Sequence, residues 1–213
     1  MIETKTTDNE ISMLLNKFGR LDIHENEYPS ETFSVGLLDV FDHQLTNQEA
    51  IEKIVTYTST EKVQQKEYLE LEKRFLSFFE MVFALNQSGT VYVYCPDFYR
   101  QRYKDYRYAV KALKDKEISK LYKKLYRKYQ TQRKLALLGK RPTIRDYIFK
   151  IQDIDTLQLF AKLSLTECCF SNFFFERTVI IGNYELTLPV YCLDHDLMEE
   201  LKRKAREVSL YIR

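Results

Sequence analysis

Apolar positions along this chain switch between a spacing of three to four residues and short unbroken runs, and each switch marks a boundary between elements. Ile11, Leu14, Leu15 and Phe18 recur at helical spacing and predict an amphipathic helix over residues 8–18, with Gly19 as its stop. A polar connector, DIHENEYPS, leads to TFSVGLLDVF at 32–41, strand-like in content although Gly36 interrupts it. TNQE at 46–49 matches a capping box, in which the Thr hydroxyl and the Glu carboxylate satisfy free amides at a helix start. A helix is expected from there to about Tyr57.

Tyr68, Leu71, Phe75, Phe78, Phe79 and Val82 form a broad apolar stripe, predicting a central helix over 60–85 that NQSG ends. TVYVYC at 90–95 is rich in β-branched and aromatic residues and reads as a strand. Two basic helices follow, about 98–113 and 115–138, stopped by Gly139 and Pro142. TLQLFAKLSLTECC at 156–169 suits another helix. NFFFERTVII and YELTLPVYC, joined by Gly182-Asn183, predict a β-hairpin with a primed turn. The segment DHDLMEELKRKAREV begins with acids and ends with bases, the order that a helix dipole favours. The expected fold is therefore α+β, a helix-rich single domain over 1–213 with a small mixed sheet that includes a C-terminal β-hairpin. No internal repeat of 20–50 residues argues for a solenoid.

Composition narrows the class. With 213 residues, 45% of them hydrophobic, the chain has enough apolar material for a substantial core, and 5 Gly with 4 Pro leave little for long linkers. The opening MIETKTTDNE is acidic and polar where a secretory signal needs a basic start and an apolar run, so a cytoplasmic location is the expectation. FLSFFEMVFAL, at 75–85, falls well short of the roughly 20 apolar residues of a membrane span, and no membrane partner is expected. The four cysteines read as buried free thiols: adjacent Cys168 and Cys169 are poorly placed to share one tetrahedral ion, and no metal or other cofactor is expected.

Candidate chemistry is sparse. VYCPD at 93–97 and VYCLD at 190–194 each pair a strand end with an Asp that can cap a helix, which accounts for both without catalysis. Were the two strands neighbours with their ends together, Cys95, Asp97, Cys192, Asp194 and His195 would converge as an active site does. LLGKRPT fails as a phosphate-binding loop because Lys134 stands where the earlier Gly is needed. Glu117 and Lys120 are three apart in a helical pattern, unlike the Glu-x-Lys of a nuclease strand. No catalytic residue is assigned.

Charge changes the picture. The net +2 hides a segregation: residues 98–150 carry 18 Lys and Arg against 4 Asp and Glu, whereas 1–97 carry 8 against 17. Bases interleave with tyrosines here, a combination suited to neutralising phosphates and stacking on unpaired bases. The expected function is a non-enzymatic nucleic-acid-binding accessory protein contacting DNA or RNA through Arg100, Arg102, Arg107, Lys120, Lys123, Lys124, Arg127, Lys128, Arg133 and Lys134. Two readings compete with it. The same surface suits an acidic protein partner, as an immunity, inhibitor or regulatory protein has, or the acidic parts of this chain cover the basic face.

Overall fold

The computed structural model describes residues 6–213 except 25–26, 101–102 and 138–142, and except the side chains of 99–100 and 128–137. Its elements run α1 (Asp8–Phe18), β1 (Ser34–Asp39), α2 (Asn47–Lys53), α3 (Lys62–Leu85), β2 (Val91–Tyr94), α4 (Pro96–Arg100), α5 (Tyr103–Ala112) and α6 (Lys116–Leu137). After a 3-10 turn at Ile144–Tyr147 come β3 (Ile148–Ile151), α7 (Ile154–Leu165), β4 (Asn172–Phe174), β5 (Thr178–Ile181), β6 (Leu188–Cys192), α8 (His195–Glu207) and β7 (Tyr211–Ile212).

The α+β architecture stands. The sheet is larger than the small mixed one expected: seven strands in the order β3-β2-β4-β5-β6-β1-β7, every pair antiparallel. Both faces are covered, so its strands read as unbroken apolar runs. Val91, Val93, Phe173, Ile180, Leu188 and Val190 pack against one layer, which contains α3, α7, α8 and the buried residues of α5 and α6. Tyr92, Ile148, Phe174, Val179, Ile181 and Tyr191 face the other way, onto α1 and the segment that follows it. Successive side chains thus alternate between two cores.

Capping explains several boundaries. Thr7 and Glu10 close a capping box on α1, Thr46 and Glu49 do so on α2, and the Asp153 carboxylate accepts from Thr156 N on α7. The second helix stops at Lys53, short of Tyr57, and buries none of its residues, so no packed face supports a longer run.

Two glycines mark close approaches. A Cβ on Gly36 would collide with Ile212 Cγ2, so β1 accepts the chain's last strand only because this position is bare. One on Gly182 would lie 2.8 Å from Ser164 Oγ on α7. Gly182-Asn183 is therefore not the hairpin turn that the sequence suggested. NFFFERTVII is itself two strands, β4 and β5, and the primed-type turn sits at Glu185 and Leu186, both with positive φ (58° and 56°), closed by Thr187 N donating to Tyr184 O. Leu186 is buried, and that anchorage offsets an unfavourable backbone. Among the described residues no helix is long and apolar enough to cross a membrane.

Candidate nucleic-acid interface

The basic stretch folds as a helical hairpin. Leu113–Asp115 joins α5 to α6; Lys114 takes a left-handed φ of 49°, and the Asp115 carboxylate accepts from Glu117 N at 2.9 Å and Ile118 N at 3.0 Å, opening α6. Ala109 from the first helix and Leu113 from the connection, with Ile118, Tyr122, Leu125 and Tyr126 from the second, are buried. This inward face leaves most of the charge outside.

The tyrosines divide between two roles. Tyr106 stacks on Tyr126 with centroids 4.0 Å apart and 16° between planes, Tyr106 and Tyr122 lie 5.5 Å apart, and Phe98 meets Tyr122 edge-on at 5.7 Å. These rings bind the two helices to each other and are not offered to a ligand. Only Tyr103 and Tyr108, 63% and 47% exposed, present substantial area among the described side chains of the hairpin.

Of the residues singled out from the sequence, Arg107, Lys120, Lys124 and Arg127 are exposed and Lys123 is half-buried. Arg102 lies outside the described residues, as do the side chains of Arg100, Lys128, Arg133 and Lys134. Sequence reasoning passed over Lys111, Lys114 and Lys116, all exposed. Lys116, Lys120, Lys123 and Arg127 fall at steps of four, three and four residues, one straight row on the side of α6 opposite its buried stripe. That periodicity was the available signal.

Pairing separates this hairpin from the rest of the basic stretch. From Tyr103 to Arg127 there are nine Lys and Arg against three acids. Lys120 pairs with Glu117 at 2.6 Å, and Asp115 reaches instead toward Lys162 on α7, at 3.9 Å. Among the described residues no carboxylate pairs with Lys104, Arg107, Lys111, Lys114, Lys116, Lys123, Lys124 or Arg127. Further along, Arg145 is ion-paired with Asp8, and Lys150 holds Glu10 at 2.8 Å. Burial alone would raise the Glu10 carboxyl, but hydrogen bonds from Lys150, Thr7 and Tyr92 bring it down to about 2. Among the described residues the acidic amino-terminal helix thus neutralises only the end of the basic stretch.

On one flank α6 borders a groove of about 820 Å³ whose lining includes Lys120 and Lys124 on the helix and Asp153 and Asp155 at the start of α7. Its mixed charge makes it a poorer phosphate seat than the outward row. Another cleft, about 550 Å³, is lined by Asp22, His24, Tyr94, Asp97 and Tyr184 among others.

The two Val-Tyr-Cys-x-Asp stretches do not meet. Tyr94 is level with Asn172 and Asn172 with Ile181, whereas Cys192 is level with Thr178, at the other end of β5. Cys95 and Cys192 therefore lie at opposite ends of the sheet, separated sideways by three strand spacings, about 14 Å. A site joining them is ruled out. Their aspartates also differ: Asp194 caps α8 through Leu197 N at 2.8 Å and pairs with Arg177, while Asp97 lies within the first turn of α4, whose first residue is Pro96. Three of the four thiols are held protonated. Burial pushes Cys168 and Cys192 up to about 11, and Cys169, hydrogen-bonded to Cys95 and buried, rises well above its ordinary value. Among the described residues no group of three or more His, Cys, Asp or Glu is arranged to hold a metal ion.

Comparison with protein-family models, with curated proteins and with solved structures finds no match to this chain. The functional reading rests on the residues themselves.

Proposed function

We propose that this protein is a non-enzymatic nucleic-acid-binding accessory factor whose α5–α6 hairpin contacts the phosphate backbone. One observation carries the reading: eight hairpin cations have no carboxylate partner among the described residues, while Arg145 and Lys150, in the same basic stretch, are both paired. An unpaired surface cation contributes little to folding, whereas a row of them displaces counterions from a polyanion and gains affinity from their release. The row Lys116, Lys120, Lys123 and Arg127, exposed apart from the half-buried Lys123, and the α5 residues Arg107 and Lys111 form its centre. Arg100, Arg102, Lys128, Arg133 and Lys134 extend it in the sequence.

Fluorescence anisotropy of the purified protein with labelled nucleic acid across a salt series tests this. The reading expects micromolar binding at low salt and a log–log salt slope of about −4 or steeper, corresponding to at least four neutralised phosphates. Absence of binding at low salt would overturn it and point to an acidic protein as the occupant of the same face.

A further inference from the structure

We infer that the nucleic acid is double-stranded DNA, engaged by the outward ridge of α6 in the major groove; this rests on the reading of the hairpin as a phosphate-binding surface. Three features of the hairpin select among the polyanions that its charge would attract.

Three of the five described tyrosines of the hairpin, the kind of ring a single-strand binder needs, are occupied. Proteins that hold unpaired bases present aromatic faces in a groove that tracks the strand. Here Tyr122 has no exposed surface and Tyr126 has 5%, the two rings being packed with Tyr106 between the helices. Of the described tyrosines of the hairpin, Tyr103 and Tyr108 are exposed, both on α5 and not on α6, which carries the cationic row.

The surface is also the wrong shape for a single strand. The cations stand on the outer side of a helix whose inner side is buried, so the charged surface is a convex ridge. A helix about 10–12 Å across matches the major groove of B-form DNA, about 12 Å wide. The A-form RNA groove is too deep and narrow to admit it. A ridge of this kind has its complement in a duplex groove.

Dimensions agree with that complement. The 22 residues of α6 span about 33 Å, close to one turn of B-form duplex. Lys116, Lys120, Lys123 and Arg127 follow one another at intervals of about 4.5–6 Å along the axis. Flexible side chains on such a row reach the phosphates that border the groove without a specific base being read. On α5, Arg107 and Lys111, four residues apart and both exposed, add cations to the neighbouring helix.

The test uses the full chain and three labelled 24-mers of matched sequence: single-stranded DNA, duplex DNA and duplex RNA, each titrated at the same low salt. Duplex DNA is expected to bind at least tenfold tighter than either of the others. Equal or tighter binding of single-stranded DNA or duplex RNA would overturn the inference and leave the phosphate-binding reading in place. Failure of all three to bind would remove that reading, and the inference with it.

A second arm replaces the exposed rings. Stacking on a base raises affinity by roughly 5- to 150-fold per aromatic side chain. The double variant Tyr103→Ala, Tyr108→Ala is therefore expected to change duplex affinity less than twofold. A loss of tenfold or more would show that bases are unstacked onto the protein and would contradict insertion into an intact duplex.

Discussion

The basic stretch contains two kinds of cation, and they differ in what faces them. Arg145 and Lys150, on the 3-10 turn and on β3, meet Asp8 and Glu10 of α1, and the Glu10 carboxylate also accepts from Tyr92 at 2.8 Å and from Thr7. They join the amino-terminal helix to the sheet. The cations of α5 and α6 whose side chains are described, apart from Lys120, meet no carboxylate among the described residues. The contrast separates charge used for folding from charge left for a ligand, and a whole-chain value of +2 conceals both.

Lys162 marks the folding extreme and gives the largest expected effect. Buried on α7, it lies 3.4 Å from Glu72 of α3, whose carboxyl burial raises although Lys162 opposes the shift. Replacing it by Met leaves the carboxylate in the core without its partner, and chemical denaturation is expected to show a loss of about 3 kcal/mol. A loss under about 0.5 kcal/mol would mean that the pair does not hold α3 to α7.

Next comes the link between α1 and β3. Glu10→Gln removes the charge that Lys150 and the Thr7 amide hold, with an expected cost of about 2 kcal/mol at neutral pH. Because the folded carboxyl sits at about 2, below its ordinary 4.5, its contribution is complete above 4.5 and is lost as pH falls toward 2. The difference in melting temperature between wild type and Glu10→Gln should therefore close over that interval. A difference independent of pH would remove the charge from the explanation.

The smallest stability effect is expected on the ridge. Lys116→Ala, Lys123→Ala and Arg127→Ala should each shift unfolding by no more than about 0.5 kcal/mol, since no ion pair is broken. Losses of 1 kcal/mol or more would place these residues with Lys150 and erase the distinction between the two halves.

Much of this architecture was legible in the chain. The stripe from Tyr68 to Val82 identified α3, and the two basic helices were placed close to where α5 and α6 lie. What escaped notice was short or depended on distant partners. The strand β3 is four residues long and directly follows a 3-10 turn, and its alternation of Phe149 and Ile151 with Ile148 and Lys150 becomes meaningful only beside β2. The two-residue β7 exists because Gly36 leaves room for Ile212.

The candidate site was legible as charge but not as surface. Three- and four-residue spacing left the hairpin tyrosines open to either an outer stripe or a helix contact, and only the return of α6 along α5 puts Tyr106, Tyr122 and Tyr126 in the contact. For the same reason the resemblance between VYCPD and VYCLD misled. Both end a strand, but the number of antiparallel pairings between them sends their ends in opposite directions.

The most direct test of the division between the two halves is the salt slope of duplex DNA binding, measured for wild type and for the triple variant Lys116→Ala, Lys123→Ala, Arg127→Ala. Three lost phosphate contacts should make the slope shallower by about 2.7 with the melting temperature essentially unchanged. An unchanged slope would contradict the account, because the unpaired cations of α6 would then face no phosphate.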